Sequence, residues 1–183
     1  MRLGPLIFLF TLMLGVMGAA AALAQDDAEV RKALEAQYTK LAEAHDKKDL
    51  ATIASLKTAD FHAIFPDGRV GDVKVMEQYT RQFIENNLPP YNIKITIQQL
   101  TVSEYGLIAV ADVFQEVSRS RDLAGKVRKV DTSVVQRETW TKTPTGWKLK
   151  CVDSVRDQKT FVDGKRVEPG KPYDPDATGT KKP

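Results

Sequence analysis

The stretch Asp131–Gln158, DTSVVQRETWTKTPTGWKLKCVDSVRDQ, reads as two long alternating strands joined by a turn at Thr143–Gly146. With the turn pairing Lys142 and Trp147, Trp140 falls opposite Leu149, Glu138 opposite Cys151, Gln136 opposite Asp153 and Val134 opposite Val155, all on one face. The other face carries Arg137, Thr139, Thr141, Lys148, Lys150, Ser154 and Arg156, with Val135 and Val152 its only apolar members. It can meet water. The first face asks to be covered, yet it holds two carboxylates, Glu138 and Asp153.

What precedes this hairpin has the pattern of a cover. From Asp27 to Lys48, Val30, Leu34, Tyr38 or Gln37, Leu41 and His45 recur at helical spacing, with Arg31, Lys32, Glu35, Lys40 and Glu43 on the other side. Asp49 sits at the N-cap of a short second helix, Leu50–Lys57, and an extended segment, Asp60–Phe65, ends in the turn Pro66-Asp67-Gly68. A third helix is expected from about Asp72 to Asn87 and stops at Pro89-Pro90. The period then turns to alternation: Tyr91–Ser103 and Gly106–Arg121 form a hairpin in which Ile93, Ile95 and Ile97 share a face with Ile108, Val110, Asp112 and Phe114. Three helices followed by sequential antiparallel strands predict an α+β layer, the helices lying on one face of a curved sheet.

The ends have a different character. Residues 1–24 carry one arginine, an apolar run and the small-residue pattern Ala22-Leu23-Ala24, which predicts a signal peptide cleaved at Ala24/Gln25 and export to the periplasm or beyond; an uncleaved anchor is the competing reading. Residues 25–158 form the expected domain and 159–168 a terminal hairpin around Asp163-Gly164. Residues 169–183 have four prolines and no apolar run and are expected to be disordered. The mature chain would hold 26 Lys and Arg against 24 Asp and Glu, a balance that does not point to nucleic acid as a partner, nor to a stable membrane anchor after cleavage. Cys151 is the only cysteine, so no intrachain disulfide forms and the thiol reads as a small buried hydrophobe.

Lys48-Asp49-Leu50 with Ile53 and Leu56, Ala59-Asp60-Phe61 leading to Pro66-Asp67-Gly68, and Gly146-Trp147-Lys148-Leu149 recur here in an order that resembles the nuclear transport factor 2-like superfamily, which includes SnoaL-like cyclases and ketosteroid isomerases. The resemblance covers about Asp27 to Gln158 and implies a cone: a curved antiparallel sheet with the three helices packed on its concave side, closing over an apolar cavity. It does not carry the isomerase chemistry across. Phe65 falls where those enzymes place their general-base aspartate, and a phenyl ring accepts no proton. Their oxyanion tyrosine falls near Leu41, matching Tyr38 only after a one-turn slip, and their second donor falls near Gln136 or Glu138. Dehydratases of this fold use a His and Asp pair, and His62 is the only histidine near the sheet.

The candidate site follows from the face assignment. Glu138, Asp153 and Asp112 on neighbouring strands inside an apolar cone would raise one another's pKa, which suits either acid–base chemistry or the grip of a polar ligand group, or else a structural hydrogen-bond network. Catalytic candidates are therefore Asp153, Glu138 and His62; ligand contacts are expected from Gln136, Asp112, Trp140, Tyr38, Phe65, Tyr79 and Phe83. His45 reads as a helix-end cation, and Arg119, Arg121, Lys126, Arg128 and Lys129 as a solvated strand connection. No metal-ligand spacing, phosphate loop or dinucleotide fingerprint is present, so neither metal nor cofactor is expected. Three functions stay open: binding of a small, partly apolar molecule; an isomerase, cyclase or dehydratase with Asp153 or Glu138 as base; and a scaffold forming a homodimer through the outer sheet face.

Overall fold

A computed structural model of the chain describes residues 8–103, 105–123 and 125–168, with side chains from Asp27 onward. The expected disordered tail, 169–183, and the start of the expected signal peptide lie outside the described residues. The elements are α1 (Phe8–Asp46), α2 (Leu50–Ser55), β1 (Lys57–Ile64), β2 (Val70–Asp72), α3 (Val73–Asn86), β3 (Ile93–Val102), β4 (Ile108–Leu123), β5 (Lys126–Thr143), β6 (Gly146–Val162) and β7 (Lys165–Val167).

The helix starts follow from local chemistry. The Asp49 carboxylate accepts from the backbone N–H of Thr52 at 3.0 Å at the head of α2, and Asp72 does the same for Val75 at 3.0 Å at the head of α3. The strands assemble in the order β2-β1-β6-β5-β4-β3, with β7 paired to β6. β3 to β6 are linked by hairpins and run antiparallel. The sheet is mixed, however, because β1 pairs with β6 in parallel. The expectation of a wholly antiparallel sheet fails there for a simple reason: β1 is reached from α2, so no hairpin turn dictates its direction.

α1 lays Val30, Leu34 and Tyr38 on Ile97, Ala109, Ala111, Val113, Trp140 and Trp147, and the small alanines of β4 let the helix approach closely. Burying each of these larger side chains contributes on the order of 1.5–3 kcal/mol. Ala44, Ile53 and Ile84 join the three helices, while α3 covers Phe61, Ala63 and Val152 at the β1 side of the sheet. The layer of helices on one face of a curved, open sheet is thus the α+β arrangement expected.

Register shifts in two strand pairs decide the rest. In β3–β4, Ile97 pairs with Val113 but Gln99 pairs with Asp112, so one residue of β3 is extra. In β5–β6, Trp140 pairs with Leu149, Thr139 with Cys151, Glu138 with Val152 and Arg137 with Ser154, leaving Lys150 and Asp153 unpaired in turn. A further shift follows between Ser133 and Val135. The expected partners of Trp140 and Lys142 hold near the turn, but those of Glu138, Gln136 and Val134 do not.

Candidate functional site

β4 and β5 pair without a break from Leu123–Lys126 to Ile108–Thr141, so their faces can be followed from end to end. Ala109, Ala111, Val113, Gln115, Val117 and Arg119 of β4 share the helix-bearing face with Trp140, Glu138, Gln136, Val134, Thr132 and Val130 of β5. α1 packs on β3 and β6, and α3 on β1 and β2. Between them Gln115, Val117, Val134, Gln136 and Val155 stay half-buried. This strip is the candidate site: polar where it meets the buried Glu138, apolar in the middle and cationic at Arg119, which marks its rim.

Glu138 forms the deep end and is 2% exposed. Its Oε2 accepts from the Tyr38 hydroxyl at 2.6 Å and the Trp140 indole N–H at 2.9 Å, and its Oε1 from Gln136 Nε2 at 2.6 Å. Gln136 Nε2 also reaches Gln115 Oε1 at 3.1 Å. Burial pushes the Glu138 carboxyl up from the usual carboxylate range, against the pull of its three donors, and pushes the Tyr38 phenol up as well. The Tyr38 and Trp140 rings meet edge to face at 5.4 Å, which fixes both donors.

Arg119 forms the rim. Its Nε donates to Asn87 Oδ1 and its Nη1 to Thr132 Oγ1, each at 3.0 Å, and its guanidinium lies 5.4 Å from the centre of the Phe83 ring. Phe83 also packs on Tyr91 at 5.1 Å and on the His45 ring at 5.7 Å. His45 Nδ1 contacts the Leu41 carbonyl at 2.9 Å, and burial lowers its pKa, so it is a neutral ring rather than the expected helix-end cation. Arg119 corrects a second expectation, since it belongs to a strand and turns inward instead of capping a solvated connection.

The other carboxylates leave the site. Asp112 pairs with Arg137 on the outer face because the extra residue of β3 reverses the expected match of Ile97. There it is 7% exposed, held by Arg137 at 2.8 and 3.1 Å with Arg156 at 3.5 Å, and the Arg137 hydrogen bonds keep its pKa low. Asp153, bulged out of the β6 register, accepts from Thr139 Oγ1 at 2.8 Å and from the Cys151 thiol at 2.9 Å, also on the outer face. His62 pairs with Cys151 across β1 and β6, its Nε2 3.1 Å from the thiol sulfur. This is no nucleophile triad: Asp153 touches the thiol rather than the imidazole, and burial with that carboxylate pushes the Cys151 thiol up to about 12.

Of the expected ligand contacts, Gln136, Tyr38 and Trp140 gather at Glu138, and Phe83 stands at the rim. Phe65 and Tyr79 instead pack on each other at 5.4 Å beside β2 and α3, with Arg69 5.5 Å from the Phe65 ring. Gln115, Arg119, Asn87 and Thr132 were not singled out for the site from sequence. An alternation count continued from Val113 through Gln115, Val117 and Arg119 would have found three of its positions.

No protein-family model matches the chain, and no curated protein matches it. Solved structures do. A conserved protein from Planctomyces limnophilus superposes with a TM-score of 0.58 at 16% identity, over 70% of this chain and 98% of its own. A ketosteroid isomerase-like protein from Erwinia carotovora atroseptica gives 0.52 at 14% identity, over 76% of this chain and 97% of its own. A nuclear transport factor 2-like superfamily protein from Salmonella enterica serovar Typhimurium gives 0.50 at 17%, over 82% and 99%. The mixed, open sheet, the helices on one face and these superpositions give this chain the nuclear transport factor 2-like fold.

Proposed function

We propose that the mature chain, exported after cleavage at Ala24/Gln25, binds a small, partly apolar molecule in the strip between α1 and α3. The observation that carries this reading is the burial of Glu138 under three protein donors: 2% exposed, it fixes the Gln136 amide, which in turn holds Gln115, rather than meeting a ligand itself. Both amides are half-buried: with the Gln136 Nε2 hydrogens already donated, the Gln115 Nε2 can meet a ligand carbonyl and the Gln136 Oε1 a ligand hydroxyl, over an apolar floor of Val117 and Val134. Export rests on the apolar run and small-residue pattern of residues 1–24.

A second reading, catalysis, is favoured by one feature. A buried carboxyl with a raised pKa, 2.6 Å from a tyrosine hydroxyl, is a pair able to polarise a carbonyl or hand it a proton. Native mass spectrometry of Gln25–Pro183 from periplasmic expression separates the cases. Extra mass lost on denaturation supports binding. Turnover of a carbonyl substrate by the parent, lost in Glu138→Gln with the fold intact, would replace binding by catalysis. A bare mass with no small molecule retained across a carbonyl-bearing panel would overturn the binding reading.

A further inference from the structure

The Arg119 guanidinium stands half-buried at the rim without an acid. Its close partners are neutral, the Asn87 amide and the Thr132 hydroxyl, and Nη2 has no hydrogen-bond partner among the described residues. Asp131 acts on it only through the field; that carboxylate lies on the opposite face of β5 and makes its close contact with Lys129 at 3.1 Å. Arg121 repels it, and the neighbouring His45 is neutral. A cation drawn out of water gains little from neutral partners alone, whereas a planar guanidinium fixed at two corners and stacked on Phe83 presents its remaining edge to a carboxylate.

We infer that the ligand of this strip is an organic anion, its carboxylate docked on Arg119 and its apolar body lying over Val117 and Val134 toward the Gln115 and Gln136 amides. The inference rests on the binding reading above and gives it a substrate class. Arg119 stands four positions along the strand from Gln115, a span of roughly 13 Å. That length fits a carboxylic acid with a medium-length apolar skeleton and excludes a compact inorganic anion that would reach only the rim.

The test compares decanoate with methyl decanoate, equal in apolar body and different in charge, by titration calorimetry on Gln25–Pro183. Decanoate is expected to bind at least about tenfold more tightly than the ester, and Arg119→Gln to bring the acid-to-ester ratio to about one. Arg119→Lys, which keeps the charge and loses the planar fork, is expected to keep only part of it. Because the readout is the acid-to-ester ratio, a merely structural loss, which weakens both probes equally, does not imitate it. Equal binding of acid and ester that is weakened by Gln136→Leu would overturn the anion and keep the strip. Binding of neither probe would overturn the inference and count against the strip itself.

Discussion

Tyr38 on α1 donates its hydroxyl to Glu138 on β5 at 2.6 Å, across 100 residues of chain. Helix and sheet are thereby joined by a buried clamp whose acceptor is held by neutral donors, Tyr38, Trp140 and Gln136. Leucine in place of Glu138 would strand the Tyr38, Trp140 and Gln136 donors and is expected to cost about 3 kcal/mol or more, since each orphaned buried donor costs roughly 1–3 kcal/mol. Glutamine keeps an acceptor for Tyr38 and Trp140 while the Gln136 amide rotates, and is expected to lie within about 1 kcal/mol of the parent. Urea unfolding of the two variants measures the contrast, and equal losses would mean that the clamp does not exist.

The same carboxyl sets a pH dependence. Its folded pKa lies above the ordinary 4.5, so the folded state keeps a proton that the unfolded state releases. This contribution is therefore full below pH 4.5 and falls away as pH rises toward the folded pKa. Glu138→Gln removes it, and the variant is expected to gain on the parent from acid toward neutral pH in parallel denaturation series.

His45 acts in the opposite window. Burial lowers its folded pKa below 6.5, so its stabilising contribution is present above pH 6.5 and is lost as pH falls through the folded value. His45→Gln is expected to flatten that stretch of the stability curve, and NMR titration of the His45 ring in the parent checks the direction of the shift directly.

Cys151 is 4% exposed and donates its thiol to Asp153. With a pKa pushed up to about 12, it is expected to resist thiol reagents at pH 8 in the folded protein and to react only after denaturation. Asp153→Asn removes the repelling charge and is expected to speed labelling. Prompt stoichiometric labelling of the native parent would contradict the arrangement.

Gly71 faces Phe65 at a distance that leaves no room for a methyl group: a Cβ there would stand 2.8 Å from Cε2 of the ring. Gly71→Ala is expected to cost about 1–3 kcal/mol through overpacking. Phe65→Leu in the same chain is expected to recover part of that loss, and a double-mutant cycle by chemical denaturation measures the coupling.

Element order was legible because each helix carries its own period and cap: the Asp49 and Asp72 caps and the Val30, Leu34, Tyr38 stripe are local facts. The turn at Thr143–Gly146 likewise fixed the pairs nearest to it. What alternation could not carry is parity beyond a bulge. Lys150 and Asp153 each drop out of the ladder, so Asp153, read as a partner of Gln136 inside, stands outside beside Thr139. The extra residue of β3 did the same to Asp112. Glu138 and Gln136 keep the expected face, though not the expected β6 partners, because β5 carries no extra residue against β4. Arg119 was misread for a different reason, since a run of basic residues looks like a loop until β4 and β5 are seen to continue to Leu123 and Lys126.

Over the stretch where they pair, β6 sets Gly146–Val162 against the shorter Val130–Thr143 of β5, and a strand that carries surplus residues over its partner must bow. Deleting Lys150 would leave its neighbours facing as they do and yet straighten the strand, drawing the floor of the strip away from Tyr38. How far the sheet curves beneath the helices would then depend on chain length rather than on any side chain of the strip. The curvature of the strip could thus change by gaining or losing a residue in β6, with Glu138 and Arg119 left on the same face.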